Sequence, residues 1–151
     1  MKTIKPLFLS FAALIISSIT LSAHCQIPCG IYADDVVIGE LDTDVATIIK
    51  AMKQINELSA DVSSNPHQLV RWINNKEAHA QNIQDVMSAY FLAQRIKPEL
   101  KDTDPKKYGK LIELAHKITV YAMKCKQTTD MKNADLLHVA FHEFESLYLG
   151  K

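Results

Sequence analysis

Asp34-Asp35-Val36-Val37-Ile38-Gly39-Glu40-Leu41-Asp42-Thr43-Asp44-Val45-Ala46-Thr47-Ile48-Ile49-Lys50-Ala51-Met52-Lys53-Gln54-Ile55 is the stretch that decides the fold. Within it Ile38, Leu41, Val45, Ile48, Met52 and Ile55 follow one another at alternating steps of three and four. That spacing lines one stripe of an α-helix and reads as a heptad-like seam. Ala33-Asp34-Asp35 places acids where a helix start is electropositive, and Ser63-Ser64-Asn65-Pro66 supplies the stop.

Three further stretches carry the same period. A second helix starts near His67, runs along Leu69, Ile73, Ala80, Ile83, Met87, Tyr90 and Phe91, and ends before Pro98. The segment from Pro98 to Pro105 is polar and reads as a loop, with Asp102-Thr103-Asp104 placed to cap the next helix. That third helix carries Leu111, Leu114, Ala115, Ile118, Ala122 and Cys125. A fourth, capped near Thr129 or Asp130, carries Leu137, Ala140, Phe141, Phe144 and Leu147 or Tyr148. Strand-like alternation is missing from the sequence and no internal repeat is visible. The expected fold is all-α, an antiparallel four-helix bundle over residues 33–151.

The chain starts differently. Lys2 and Lys5 form a basic start, Leu7 through Leu21 is apolar apart from Ser and Thr, and Ser22-Ala23 offers small residues to a peptidase. This is the layout of a secretory signal peptide over residues 1–23. Its apolar run, about fifteen residues, is short of the roughly 20 that span a bilayer as a helix. Cleavage after Ala23 leaves residues 24–151 as one exported domain, expected in the periplasm and free of the membrane.

The 17 Lys and Arg balance 17 Asp and Glu. Loss of Lys2 and Lys5 with the signal makes the mature chain slightly acidic, which excludes the basic surface that nucleic-acid binding requires. All three cysteines, Cys25, Cys29 and Cys125, lie after the cleavage point, and an odd number cannot all pair within the chain.

Between the signal and the first helix lies His24-Cys25-Gln26-Ile27-Pro28-Cys29-Gly30-Ile31-Tyr32, which has no helical pattern. Its chemistry depends on being first. The free amine of His24 and the deprotonated amide nitrogen of Cys25 close a five-membered chelate ring, and the Cys25 thiolate closes a second. Cys29 completes a plane of two nitrogens and two sulfurs if Gln26-Ile27-Pro28 turns back, leaving the His24 imidazole for an axial position. Such a set suits nickel or copper rather than zinc. Pro28 makes a cis peptide inexpensive, and Gly30 lets the chain turn outward.

His-Cys-x-x-Pro-Cys-Gly-x-Tyr at a processed amino terminus resembles the nickel superoxide dismutase family. The resemblance implies one nickel ion per subunit, ligated by His24, Cys25 and Cys29 in an irregular amino-terminal hook over residues 24–32. It implies that superoxide is converted to dioxygen and hydrogen peroxide by Ni(II)/Ni(III) cycling. It places Tyr32 over the site, where its hydroxyl orders water or substrate and its ring restricts access. It gives Glu40 the task of holding the axial imidazole, and it implies a homohexamer whose subunits help enclose each hook. Two positions depart from the family: Gln26 stands where Asp is common, and His79 stands where the family has an Arg partner of the axial imidazole.

Other readings compete residue by residue. Two cysteines in an exported chain form a disulfide more often than a redox metal site. A Cys25–Cys29 disulfide would make this a non-catalytic exported helical protein, and the same hook would also serve a nickel or copper carrier. The nine-residue pattern at a credible cleavage point favours the enzyme. His138 and His142 stand at metal-ligand spacing, but the sequence specifies no third ligand near them and they read as surface histidines. Cys125 reads as a small core residue, and His67 and His116 have no partner pattern.

Overall fold

The computed structural model describes residues 33–151, and the described residues are helical, with no strand among them. Five α-helices follow in order: α1 Asp34–Leu58, α2 Pro66–Val86, α3 Leu100–Thr103, α4 Pro105–Gln127 and α5 Met131–Leu149. A 3-10 turn, Ser59–Asp61, finishes α1, and a π-helical segment, Met87–Arg95, prolongs α2. The four long helices each pack on two neighbours: α1 on α2 and α5, and α4 on α2 and α5. None of the described helices is long and apolar enough to cross a membrane.

The stripe of α1 is the core. Ile38, Leu41, Val45, Ile48, Met52 and Ile55 are all buried, as are Leu111, Leu114, Ala115, Ile118, Ala122 and Cys125 of α4. Burying a large apolar side chain contributes roughly 1.5–3 kcal/mol, so these stripes dominate the packing of otherwise charged helices. Phe91 sits at the centre of an aromatic cluster, edge-on to Tyr90, Phe144 and Tyr148 at centroid distances of 5.1, 5.0 and 5.1 Å.

The helix ends follow local chemistry. Asp104 accepts from the Lys107 amide at 2.9 Å and Asp130 from the Lys132 amide at 3.0 Å, each satisfying a first-turn donor. Gly150, at φ 71°, ends α5 with its amide on the Ser146 carbonyl.

Three details differ from the sequence expectation. The Pro98–Pro105 connection is not all loop, because Leu100–Thr103 winds one α-helical turn between its prolines. Ile73, expected on the buried stripe of α2, is 37% exposed, while Lys76 is buried. Lys76 is held there by its ammonium, which donates to the carbonyls of Cys125 at 2.7 Å and Lys126 at 2.6 Å. Those carbonyls end α4 and have no intrahelical donor. Lys76→Met is therefore expected to destabilise the protein by about 2–3 kcal/mol, the cost of leaving one buried and one part-buried acceptor without a donor. Urea denaturation checks this, and an unchanged midpoint would show that water replaces the ammonium at no cost.

Candidate metal centre

Of the residues expected to hold or serve nickel, His24, Cys25, Cys29 and Tyr32 lie outside the described residues. Glu40 lies inside them, exposed in the second turn of α1. The described residues begin at Ala33, directly after Tyr32.

The first helical residue, Asp34, is held from two directions. Tyr90 donates its hydroxyl to Oδ1. Arg95 Nη2 donates to Oδ2 at 2.6 Å and the Tyr148 hydroxyl donates to Oδ2 at 2.7 Å. The Arg95 guanidinium also lies 5.6 Å from the Tyr90 ring centroid. Tyr90 and Arg95 reach one carboxylate because their segment is π-helical. In an α-helix, residues five apart diverge by about 140°, whereas i to i+5 hydrogen bonding brings them back near one face. The Ile96 amide, bonded to the Phe91 carbonyl at 2.8 Å, closes that segment.

Burial pushes the Asp34 carboxyl up, but the hydrogen bonds from Arg95, Tyr90 and Tyr148 outweigh it and hold the group below the ordinary carboxylate range. Burial and the hydrogen bond to Asp34 in turn push the Tyr90 phenol up to about 12. Burial also raises Tyr148, and the hydrogen bond to Asp34 raises Arg95. At neutral pH the cluster is an ionised Asp34 and Arg95 with two protonated phenols. Asp34 and Arg95, with Tyr148, Leu100 and Lys107, line a cleft of about 380 Å³ at this end of the molecule.

One turn beyond Glu40 on α1, Asp44 is buried. His79 Nδ1 donates to its Oδ1 at 2.6 Å, and Asn82 Nδ2 donates to its Oδ2 at 2.7 Å. The structure thus places His79 between α1 and α2, on Asp44. Sequence reading gave Asp44 no part, although an acid beside Val45 on the apolar seam is a signal that it needs a partner across the interface. Asp34 was legible only as a helix-start acid, and Tyr90 only as a stripe residue.

The described residues offer no competing closed site. Among them, no group of three or more His, Cys, Asp and Glu side chains is arranged to hold a metal ion. Cys125 is fully buried, and burial pushes its thiol up to about 11, which disfavours the thiolate a metal needs. The imidazole of His24 and the thiols of Cys25 and Cys29 are donor types that suit nickel.

The family model for nickel-containing superoxide dismutase matches residues 19–151. The chain belongs to this family. Searches of curated proteins and of solved structures returned no match. As a nickel-containing superoxide dismutase it is an oxidoreductase with superoxide as substrate and nickel as cofactor. Within that identity, Tyr90, Arg95 and Tyr148 hold Asp34 at the start of the first helix of the described residues, two residues after Tyr32.

Proposed function

We propose that the nickel centre of this dismutase is the amino terminus exposed by cleavage after Ala23, with His24, Cys25 and Cys29 as ligands. The observation that carries this is the grouping of His24, Cys25 and Cys29 in one short stretch, which ends shortly before a helix start pinned by Tyr90, Arg95 and Tyr148. Nickel bound there supplies one-electron chemistry between its divalent and trivalent states. The chain's own residues do the rest. The amine and imidazole of His24 and the amide of Cys25 would contribute nitrogen, and the thiolates of Cys25 and Cys29 would contribute sulfur.

Glu40 accepts a hydrogen bond from the ring nitrogen of His24 that faces away from the metal, which orients the imidazole as carboxylates do beside other metal-bound histidines. Its exposure and its place in the second turn of α1 leave the carboxylate free for that contact. Tyr32 holds water or superoxide through its hydroxyl and narrows access with its ring. Narrow access protects the thiolates from peroxide, which oxidises exposed cysteine stepwise. His79, engaged with Asp44, stands one turn along from Glu40 and braces α1 against α2.

The architecture of this reading is an antiparallel four-helix bundle, residues 33–151, carrying an irregular hook, residues 24–32. The chain is exported, residues 1–23 are removed as a signal peptide, and the mature protein works in the periplasm as a homohexamer. Exposed Val36, Leu92 and Val139 supply apolar surface for subunit contacts. The test is metal content and superoxide dismutation on protein whose amino terminus is shown by mass spectrometry to be His24. Stoichiometric nickel with activity is expected, and Cys25→Ser or Cys29→Ser removes both. Wild-type activity in either cysteine variant would defeat the ligand assignment.

A further inference from the structure

His138 and His142 stand one turn apart on α5, and the fold surrounds them with carboxylates that are distant in sequence or on the next turn. Their Nε2 atoms are 3.1 Å apart and their ring centroids 4.4 Å apart. His142 Nδ1 lies 3.0 Å from Glu145 Oε2. A hydrogen bond to the Glu145 carboxylate puts a proton on Nδ1, and Nε2 faces His138. From α1, Asp42 Oδ1 approaches His142 Nε2 to 3.7 Å. With His138 in its Nε2–H tautomer the two rings share one hydrogen bond, and a metal ion bound by both Nε2 atoms would take the place of that proton.

The surroundings are mixed in charge, with Lys107, Lys110 and Lys151 lining the same cleft as Glu143. Both histidines line a surface cleft of about 950 Å³ with Lys107, Lys110, Glu143 and Ser146, which leaves room for water to fill further coordination positions. Lys110 is engaged by Glu143 at 3.2 Å and by Glu113 at 3.8 Å, so its charge is offset. Imidazole pairs one helical turn apart chelate borderline divalent ions. A carboxylate on the outer ring nitrogen fixes the tautomer and raises ligand basicity, which is the part Glu145 plays for His142.

We propose that His138 and His142 form a second metal site, a two-imidazole chelate for a borderline divalent cation such as nickel or zinc, separate from the amino-terminal hook. Glu145 positions His142, and Asp42 adds negative charge from the facing helix. The site is open, with two protein ligands and the remaining positions taken by water, so its metal exchanges readily where a closed site would retain it.

The experiment counts metal equivalents by equilibrium dialysis and calorimetry, with Zn²⁺ alone and then Ni²⁺ alone. It uses the mature chain as such, the chain alkylated at Cys25 and Cys29, and the His138→Ala and His142→Ala variants. Alkylated protein is expected to bind one equivalent of either ion in the micromolar range, lost in each histidine variant, while those variants keep the nickel of the hook. Glu145→Gln is expected to weaken binding about tenfold or more, the usual size of such an outer-ring contact. Alkylated wild-type protein that binds no ion in this range, or binding that survives His142→Ala, overturns the proposal. Affinity unchanged in Glu145→Gln overturns the positioning role. Loss of hook nickel in unmodified protein would instead strike at the ligands proposed for the dismutase centre, so the two failures are distinct.

Discussion

One residue added in front of His24 is expected to abolish nickel retention and dismutation while leaving helical content and thermal stability unchanged. The extension deletes no side chain. It converts the terminal amine of His24 into an amide and moves the free amine outward, so the five-membered ring between that amine and the Cys25 amide nitrogen can no longer close. Both thiolates remain, but without the paired nitrogens the planar set that suits nickel is gone. The described core is built from residues between Val37 and Phe144, so circular dichroism and the unfolding midpoint are expected to stay as in the unextended protein. Metal analysis and activity on extended and unextended protein decide the matter, and full activity in the extended protein would remove the His24 amine from the ligand set.

Asp34→Ala is expected to lower stability by about 2–3 kcal/mol. Its carboxylate is the shared acceptor of Tyr90, Arg95 and Tyr148, with 20% of the Asp34 side chain and 32% of the Arg95 side chain exposed. Breaking a fully buried pair by removing one partner costs about 3–5 kcal/mol, and partial exposure brings the figure below that range. The pH dependence has a definite sign. The folded carboxyl is held below its ordinary range, so its contribution is complete above the unfolded aspartate pKa of about 3.9 and is lost as pH falls through the lower folded value. Denaturant titrations should therefore separate wild type from variant at neutral pH and bring them together in strong acid. Equal midpoints at neutral pH would mean that the cluster is merely a surface ion pair. Because Asp34 follows Tyr32 by two residues, nickel retention measured on the same variant reports whether this anchor also serves the hook.

Much of the fold was legible because helical periodicity is local. The steps from Ile38 to Ile55 are set by residues three and four apart, and every one of those side chains is buried. The caps at Asp104 and Asp130 were readable for the same reason, since each side chain serves an amide two or three residues on. The short turn at Leu100–Thr103 was not, because the flanking prolines and polar residues look the same whether or not the chain winds once between them. Periodicity alone could not place Lys76, since its burial answers two carbonyls about fifty residues away.

The candidate metal centre divides along the same line. The ligand set proposed for it lies in one short stretch, from His24 to Cys29, so the proposal could be read from the sequence by itself. The sequence likewise determined that the described residues are helical. Only the tertiary structure decided that Asp34 would be gripped by Tyr90 and Tyr148, 56 and 114 residues away, that a π-helical segment would turn Arg95 onto the same carboxylate, and that Asp42 would face His142. Those pairings depend on how each helix is rotated against its neighbours. That rotation is set by the whole core at once, and no local window of sequence contains it.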